Sequence, residues 1–167
     1  MKHGDSEGYV WGRRGKRVNV PMMNERHSKT FYGVLDLLSR DFLLQQYDWA
    51  NMENTVEFLK WLMEEKYPHA KQIIVVWDGA TFHTGQIVRE FLQTVNQGLK
   101  ESQWKIYCML LAPNAPDQNP TEDCWLKAKN NVRKHISQNL TFSQTVECFR
   151  QSFNELNFDF AKLKWYY

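Results

Sequence analysis

Ile73-Ile74-Val75-Val76-Trp77-Asp78 is the stretch on which the fold turns. Four β-branched residues in a row suit a strand, and an unbroken apolar run suits one covered on both faces, as in the middle of an α/β sheet. The acid follows at the carboxyl end, where open α/β sheets place their ligand sites. Upstream, Met52, Val56, Leu59, Leu62 and Met63 recur at helical spacing and predict an amphipathic helix over residues 51–65, ended by Pro68. Downstream, Ile87, Val88, Phe91, Leu92 and Val95 mark a second helix. Residues 105–111 read as another buried strand, running into the Pro- and Asn-rich loop 112–119.

The outer segments complete the pattern. A third helix is predicted from Pro120 to about His135, with Trp125, Ala128, Val132 and Ile136 on one side. A fourth, over residues 141–154, carries Phe142, Val146, Phe149 and Phe153 as a stripe. Residues 30–38 and 42–47 read as two paired strands around Ser39-Arg40-Asp41, and residues 8–21 as a hairpin around a glycine-punctuated basic turn. Strands first, then strands alternating with helices, predict an α/β fold: a mixed β-sheet flanked by helices.

Composition sets the bounds. The 167 residues suffice for one domain with a real core, and 43% hydrophobic against 24% charged residues argues against disorder. A net charge of only +2 means that any attraction to nucleic acid must come from local Lys and Arg clusters. Cys108, Cys124 and Cys148 fit neither a zinc spacing nor a disulfide framework and read as reduced thiols. No apolar run approaches the roughly 20 residues of a membrane span, and the polar residues 1–7 do not form a signal peptide. A cytoplasmic protein is expected.

Two acids stand out, and each has an ordinary structural reading beside the chemical one. Asp78, past a buried strand, suits a hard cation such as Mg²⁺, which takes oxygen ligands. Asp78-Gly79 is equally a turn dipeptide. Asn119-Pro120-Thr121-Glu122 is close to an ideal helix start, with Asn at the cap and Pro at the first helical position. Glu122 and Asp123 there could simply stabilise the helix end. The combination matters more than either residue.

Trp77-Asp78-Gly79-Ala80-Thr81-Phe82-His83, followed by Leu111-Ala112-Pro113-Asn114-Ala115-Pro116-Asp117-Gln118-Asn119-Pro120-Thr121-Glu122, resembles the catalytic core of the DDE transposases of the mariner superfamily, in its bacterial insertion-sequence branch. There the second acid lies in an Asp-Asn/Gly-Ala-x-x-His segment, and the third is a Glu ending a Pro-x-x-Pro-x-x-Asn-Pro-x-Glu loop. Trp125, Lys127 and Lys129 fit the continuation, and the likeness extends from about Gly8 to His135. The resemblance implies a ribonuclease H-like fold, with Asp78 and Glu122 as the second and third members of an acidic triad. It also implies two Mg²⁺ ions, for which Mn²⁺ would substitute, and transposon-end and target DNA as partners. Two metals can stabilise both the attacking and the leaving oxygen of a phosphodiester displacement.

Two features depart from that pattern. Asp78 and Glu122 lie 44 positions apart, longer than the family's compact spacing, with the extra residues expected in 97–103. The family's first Asp precedes the segment matching residues 8–12, yet only Asp5 and Glu7 lie ahead of it, in a polar stretch without strand character. Asp36 is at no matching position. The first acid and its central strand are therefore expected upstream of Met1, making residues 1–167 a single but partial catalytic domain, with 137–167 its C-terminal helical extension.

Supporting roles are expected for His83, as a phosphate- or water-orienting group, a proton shuttle or a histidine at a helix start, and for Asn119, chiefly as a cap. Arg13, Arg14, Lys16 and Arg17, beside Trp11, form the densest basic cluster, and Lys127, Lys129 and Arg133 extend along the helix from Glu122. Both are candidate DNA-backbone contacts or plain solvated surface. The leading expectation is a transposase catalytic domain performing metal-dependent DNA cleavage and strand transfer, nucleoid-associated, as a homodimer or with a separate N-terminal transposase segment. The alternatives are a catalytically inactive DNA- or transposase-binding remnant or regulator, and a structure-directed nuclease of the same fold.

Overall fold

The computed structural model describes residues 13–15, 27–113, 116–135, 140–156 and 158–166. They fall into two compact units, residues 1–48 with 120–167 and residues 49–119. The expected 8–21 hairpin lies almost wholly outside the described residues; only the turn at Arg13-Arg14-Gly15 is seen, with Gly15 at φ +82°.

In the first unit, β1 (Thr30–Leu35) pairs antiparallel with β2 (Phe42–Tyr47), Thr30 opposite Tyr47 and Leu35 opposite Phe42. The first strand stops at Leu35, short of the expected Leu38, because Asp36 turns the chain. Its Oδ1 accepts from the amides of Leu38 and Ser39 at 2.7 and 3.1 Å, and its amide donates to Asp41 O. Arg40 completes the turn at φ +69°. Against this hairpin pack α4 (Pro120–Arg133) and α5 (Phe142–Glu155), which label the last two of five helices among the described residues. Their core joins Leu35 and Phe42 to Cys124, Ala128, Val132, Phe149, Phe153, Phe158 and Leu163. Phe42 stacks on Phe153 at 4.6 Å and meets the edge of Trp125 at 4.9 Å.

The second unit begins with α1 (Met52–Trp61), capped by Asn51, whose side chain accepts from the Asn54 amide. The predicted helix continues to residue 66, but its last turn, Leu62–Lys66, is π-helical. β3 (Ile73–Trp77) pairs parallel with β4 (Ile106–Leu110), Val75 opposite Cys108, and the crossover between them holds α2 (Thr81–Thr84) and α3 (Gln86–Val95). Leu59, Val75, Val88 and Ile106 form the core. Asn96, after α3, is buried; its Nδ2 donates to Ile106 O at 2.9 Å and its Oδ1 accepts from Lys105 N at 2.8 Å.

The strands correct two expectations. Among the described residues of the second unit, helices cover one face of β3: side chains alternate, so Val75 faces the helices while Ile74 and Val76 are 59% and 40% exposed. β4 is likewise buried at Ile106 but open at Met109 and Leu110. Parallel and antiparallel pairings both occur, as a mixed fold requires, but among the described residues they form two separate two-stranded sheets. The apolar run reported strand formation correctly; how many layers cover it is a matter of neighbours.

Candidate active site

Asp78 stands one residue past β3, held there because Trp77 O accepts from Leu111 N at 2.9 Å, extending the ladder to the point where the chain leaves the sheet. Its Oδ1 accepts twice at 3.0 Å, from the Ala80 amide and from His83 Nδ1. The first bond is an Asx turn, the structural role foreseen for Asp78-Gly79. A carboxylate only accepts, so His83 presents Nδ1–H. The side chain remains 56% exposed, and among the described residues Oδ2 takes no hydrogen bond. Turn and open ligand atom therefore coexist in one residue.

His83 is placed by α2, whose turn is closed by His83 N donating to Ala80 O. Its ring lies flat on the Trp77 indole, 4.9 Å between centroids and 6° between planes, and meets Phe82 edge-on at 4.4 Å. With 16% of its side chain exposed, His83 is wedged between aromatic rings and Asp78. Sequence reasoning missed Trp77 as part of this arrangement; the signal was its adjacency to Asp78, since β3 sends residue 77 to the helix-facing side.

Pro120 opens α4 and is buried, as its place at the first helical position predicts. Asn119 stands directly before it, half-buried, and Glu122 is exposed in the first turn. Among the described residues Glu122 makes no side-chain hydrogen bond or ion pair, so capping through its side chain, the ordinary reading of this residue, is not seen. Asp123 is half-buried beside it. Asp78 belongs to the second unit and Glu122 to the first. The structure joins Asp78 to His83; the association of Asp78 with Glu122 rests on the order of their motifs.

The basic candidates divide. Arg13 and Arg14 are exposed; Lys16 and Arg17 lie outside the described residues. On α4, Lys127 is half-buried with its ammonium 5.7 Å from the Phe158 ring and 5.5 Å from Phe160, a cation–π contact with the C-terminal segment. Arg133 Nη1 donates to Asn130 Oδ1 at 2.7 Å, and Lys129 is half-buried. Thus Arg13 and Arg14 are the more accessible pair, while Lys127 does packing work that its spacing did not disclose. The three cysteines are free thiols, and burial pushes Cys108 up to about 12.

Carboxylate oxygens, exposed and open at both Asp78 and Glu122, are the donor chemistry a hard divalent cation takes. Among the described residues no three His, Cys, Asp or Glu side chains gather into a ready metal cluster. No helix among them is long and apolar enough to cross a membrane.

A mixed α/β architecture with small sheets and flanking helices is compatible with a ribonuclease H-like fold. The family model described as DDE superfamily endonuclease matches residues 1–142, so the chain belongs to that family. No curated protein matches it.

Proposed function

We propose that this chain supplies the second and third carboxylates, Asp78 and Glu122, of a transposase catalytic domain. The domain cleaves DNA and transfers strands in the movement of an insertion sequence of the mariner superfamily. The observation that carries the reading is Asp78 itself, in a chain matched by the family model: anchored through Oδ1 at the end of β3, with Oδ2 open. Asp78 and Glu122 would hold two Mg²⁺ or Mn²⁺ ions together with a further carboxylate. When bound, such ions stabilise the attacking and leaving oxygens of a phosphodiester displacement.

The chain's own residues do the rest. Asp78, tied to the first turn after its strand, offers an oxygen from a fixed point. Glu122 offers another from a helix start whose Pro120 is buried. Arg13 and Arg14, with Lys16 and Arg17, neutralise backbone phosphates of the element ends and target. Asp36 is committed to its turn and does not match the family's first carboxylate. That carboxylate comes, on this reading, from a segment ahead of Gly8, in this chain or a partner, acting where the element DNA is, at the nucleoid.

The test is nicking of element-end DNA with Mg²⁺ or Mn²⁺. Asp78→Asn and Glu122→Gln should each lower the rate by at least about 10²-fold, since each removes a charged ligand. Equal nicking by all three proteins overturns the catalytic reading and leaves a DNA- or transposase-binding role.

A further inference from the structure

We infer that His83, clamped on Trp77, is the positioning residue that fixes the Asp78 carboxylate for cation binding; the inference rests on the reading of Asp78 as a metal ligand. An aspartate at a strand end has two soft torsions, and an exposed one samples several rotamers. Here two donors converge on the same oxygen, Oδ1, from the Ala80 amide and His83 Nδ1. With Oδ1 doubly held, the carboxylate plane is set, and the side chain remains 56% exposed. The backbone donor alone defines the turn. The imidazole adds the second constraint that stops rotation about the Cβ–Cγ bond.

The imidazole can do this because it is itself immobile. Its face lies on the Trp77 indole at 6°, its edge meets Phe82, and its backbone amide closes the α2 turn on Ala80. Trp77 is the last residue of β3 and packs against the core of the second unit. The orientation of Asp78 is thereby referred back to the sheet through Trp77 and His83 as well as through its own backbone. Partners of this kind, one bond removed from a metal, are worth roughly 10-fold in affinity.

Three substitutions separate the hydrogen bond from the stack. His83→Phe keeps a ring on Trp77 and removes the donor. His83→Asn restores an N–H close to where Nδ1 stands, and His83→Gln places its amide at the position of Nε2 instead. Mn²⁺ binding, read by water-proton relaxation, should weaken about tenfold in the Phe and Gln variants. It should return to within about threefold of the parent in the Asn variant. Parent-like binding by His83→Phe, or binding by His83→Asn as weak as by His83→Phe, overturns the inference. Asp78→Asn separates the two layers: if it binds Mn²⁺ like the parent, the metal reading falls and the positioning role with it. If it loses binding while His83→Phe does not, only the positioning role falls. Imidazole nitrogen chemical shifts give a second measure on the parent chain. They should report an Nδ1–H tautomer that reverts towards the ordinary Nε2–H form in Asp78→Ala, which leaves no acceptor; an Nε2–H tautomer in the parent overturns the proposal.

Discussion

Gly33, in the middle of β1, shows how much a single residue can decide. A Cβ there would meet Phe42 Cε1 at 2.5 Å, Cζ at 2.6 Å and Trp125 Cη2 at 2.6 Å. Glycine is required by the aromatic packing across the hairpin, since the strand's backbone conformation would accept any residue. Gly33→Ala should destabilise the protein by about 1–3 kcal/mol, because rings stacked on Phe153 and Phe149 have little room to retreat. A lowered urea midpoint checks it, and an unchanged midpoint would show that Phe42 and Trp125 yield freely. At this scale the motifs around Asp78 and Glu122 were legible and the side-chain partners were not. Asp78 and Glu122 are recognisable by the loops they stand in. That Asp78 shares one oxygen between Ala80 and His83 follows from a helical turn that brings residue 83 back over residue 78. Lys127 reads as a surface cation until Phe158 and Phe160, thirty positions on, arrive beneath it.

Elements were legible where periodicity is strong. α1, α3, α4 and α5 lie where their apolar spacing predicts, and α5 starts on a capping box of Thr141 and Gln144. Connections were harder, because one side chain can govern them. Residues 96–105, between α3 and β4, return to the strand through Asn96. That side chain supplies the acceptor for Lys105 N and the donor for Ile106 O. Asn96→Ala should cost about 1–3 kcal/mol by stranding two backbone groups in a buried place. Faster hydrogen exchange at Lys105 and Ile106 than at the amides of α1 is the expected signature. Uniform change across the second unit would assign the effect to general loosening. Nothing in the composition of 97–103 singles out Asn96; it is one polar residue among many until burial makes its pairing obligatory.

Over the whole molecule, each unit closes its own core, one around Phe149 and Phe153 and the other around Leu59 and Val88. The family match ends at residue 142, yet Phe149, Phe153, Phe158 and Leu163 are four of the nine described residues buried in the first unit's core. A chain cut after Phe142 should therefore lose protection of the β1–β2 amides, measured by hydrogen exchange. Retained protection would show that the hairpin and α4 hold without the C-terminal segment. Losing even one such phenylalanine costs about 3–5 kcal/mol, a large share of a domain's net stability.

What the sequence determined by itself was the order and kind of the main elements and the two short motifs in which Asp78 and Glu122 stand. Both are local: helical and strand periodicities are set by neighbouring side chains, and the acids stand in short motifs. Tertiary structure alone decided which faces are covered, which side chains share a bond and which cation lies on a ring. Ile74 and Val76 are as apolar as Val75, and the placement of the second unit's own helices buries only Val75 of the three. Asp78 has the same chemistry in any turn, and only the stack of His83 on Trp77 gives its carboxylate a direction. Contact between residues distant in sequence is a property of packing, which no local pattern encodes.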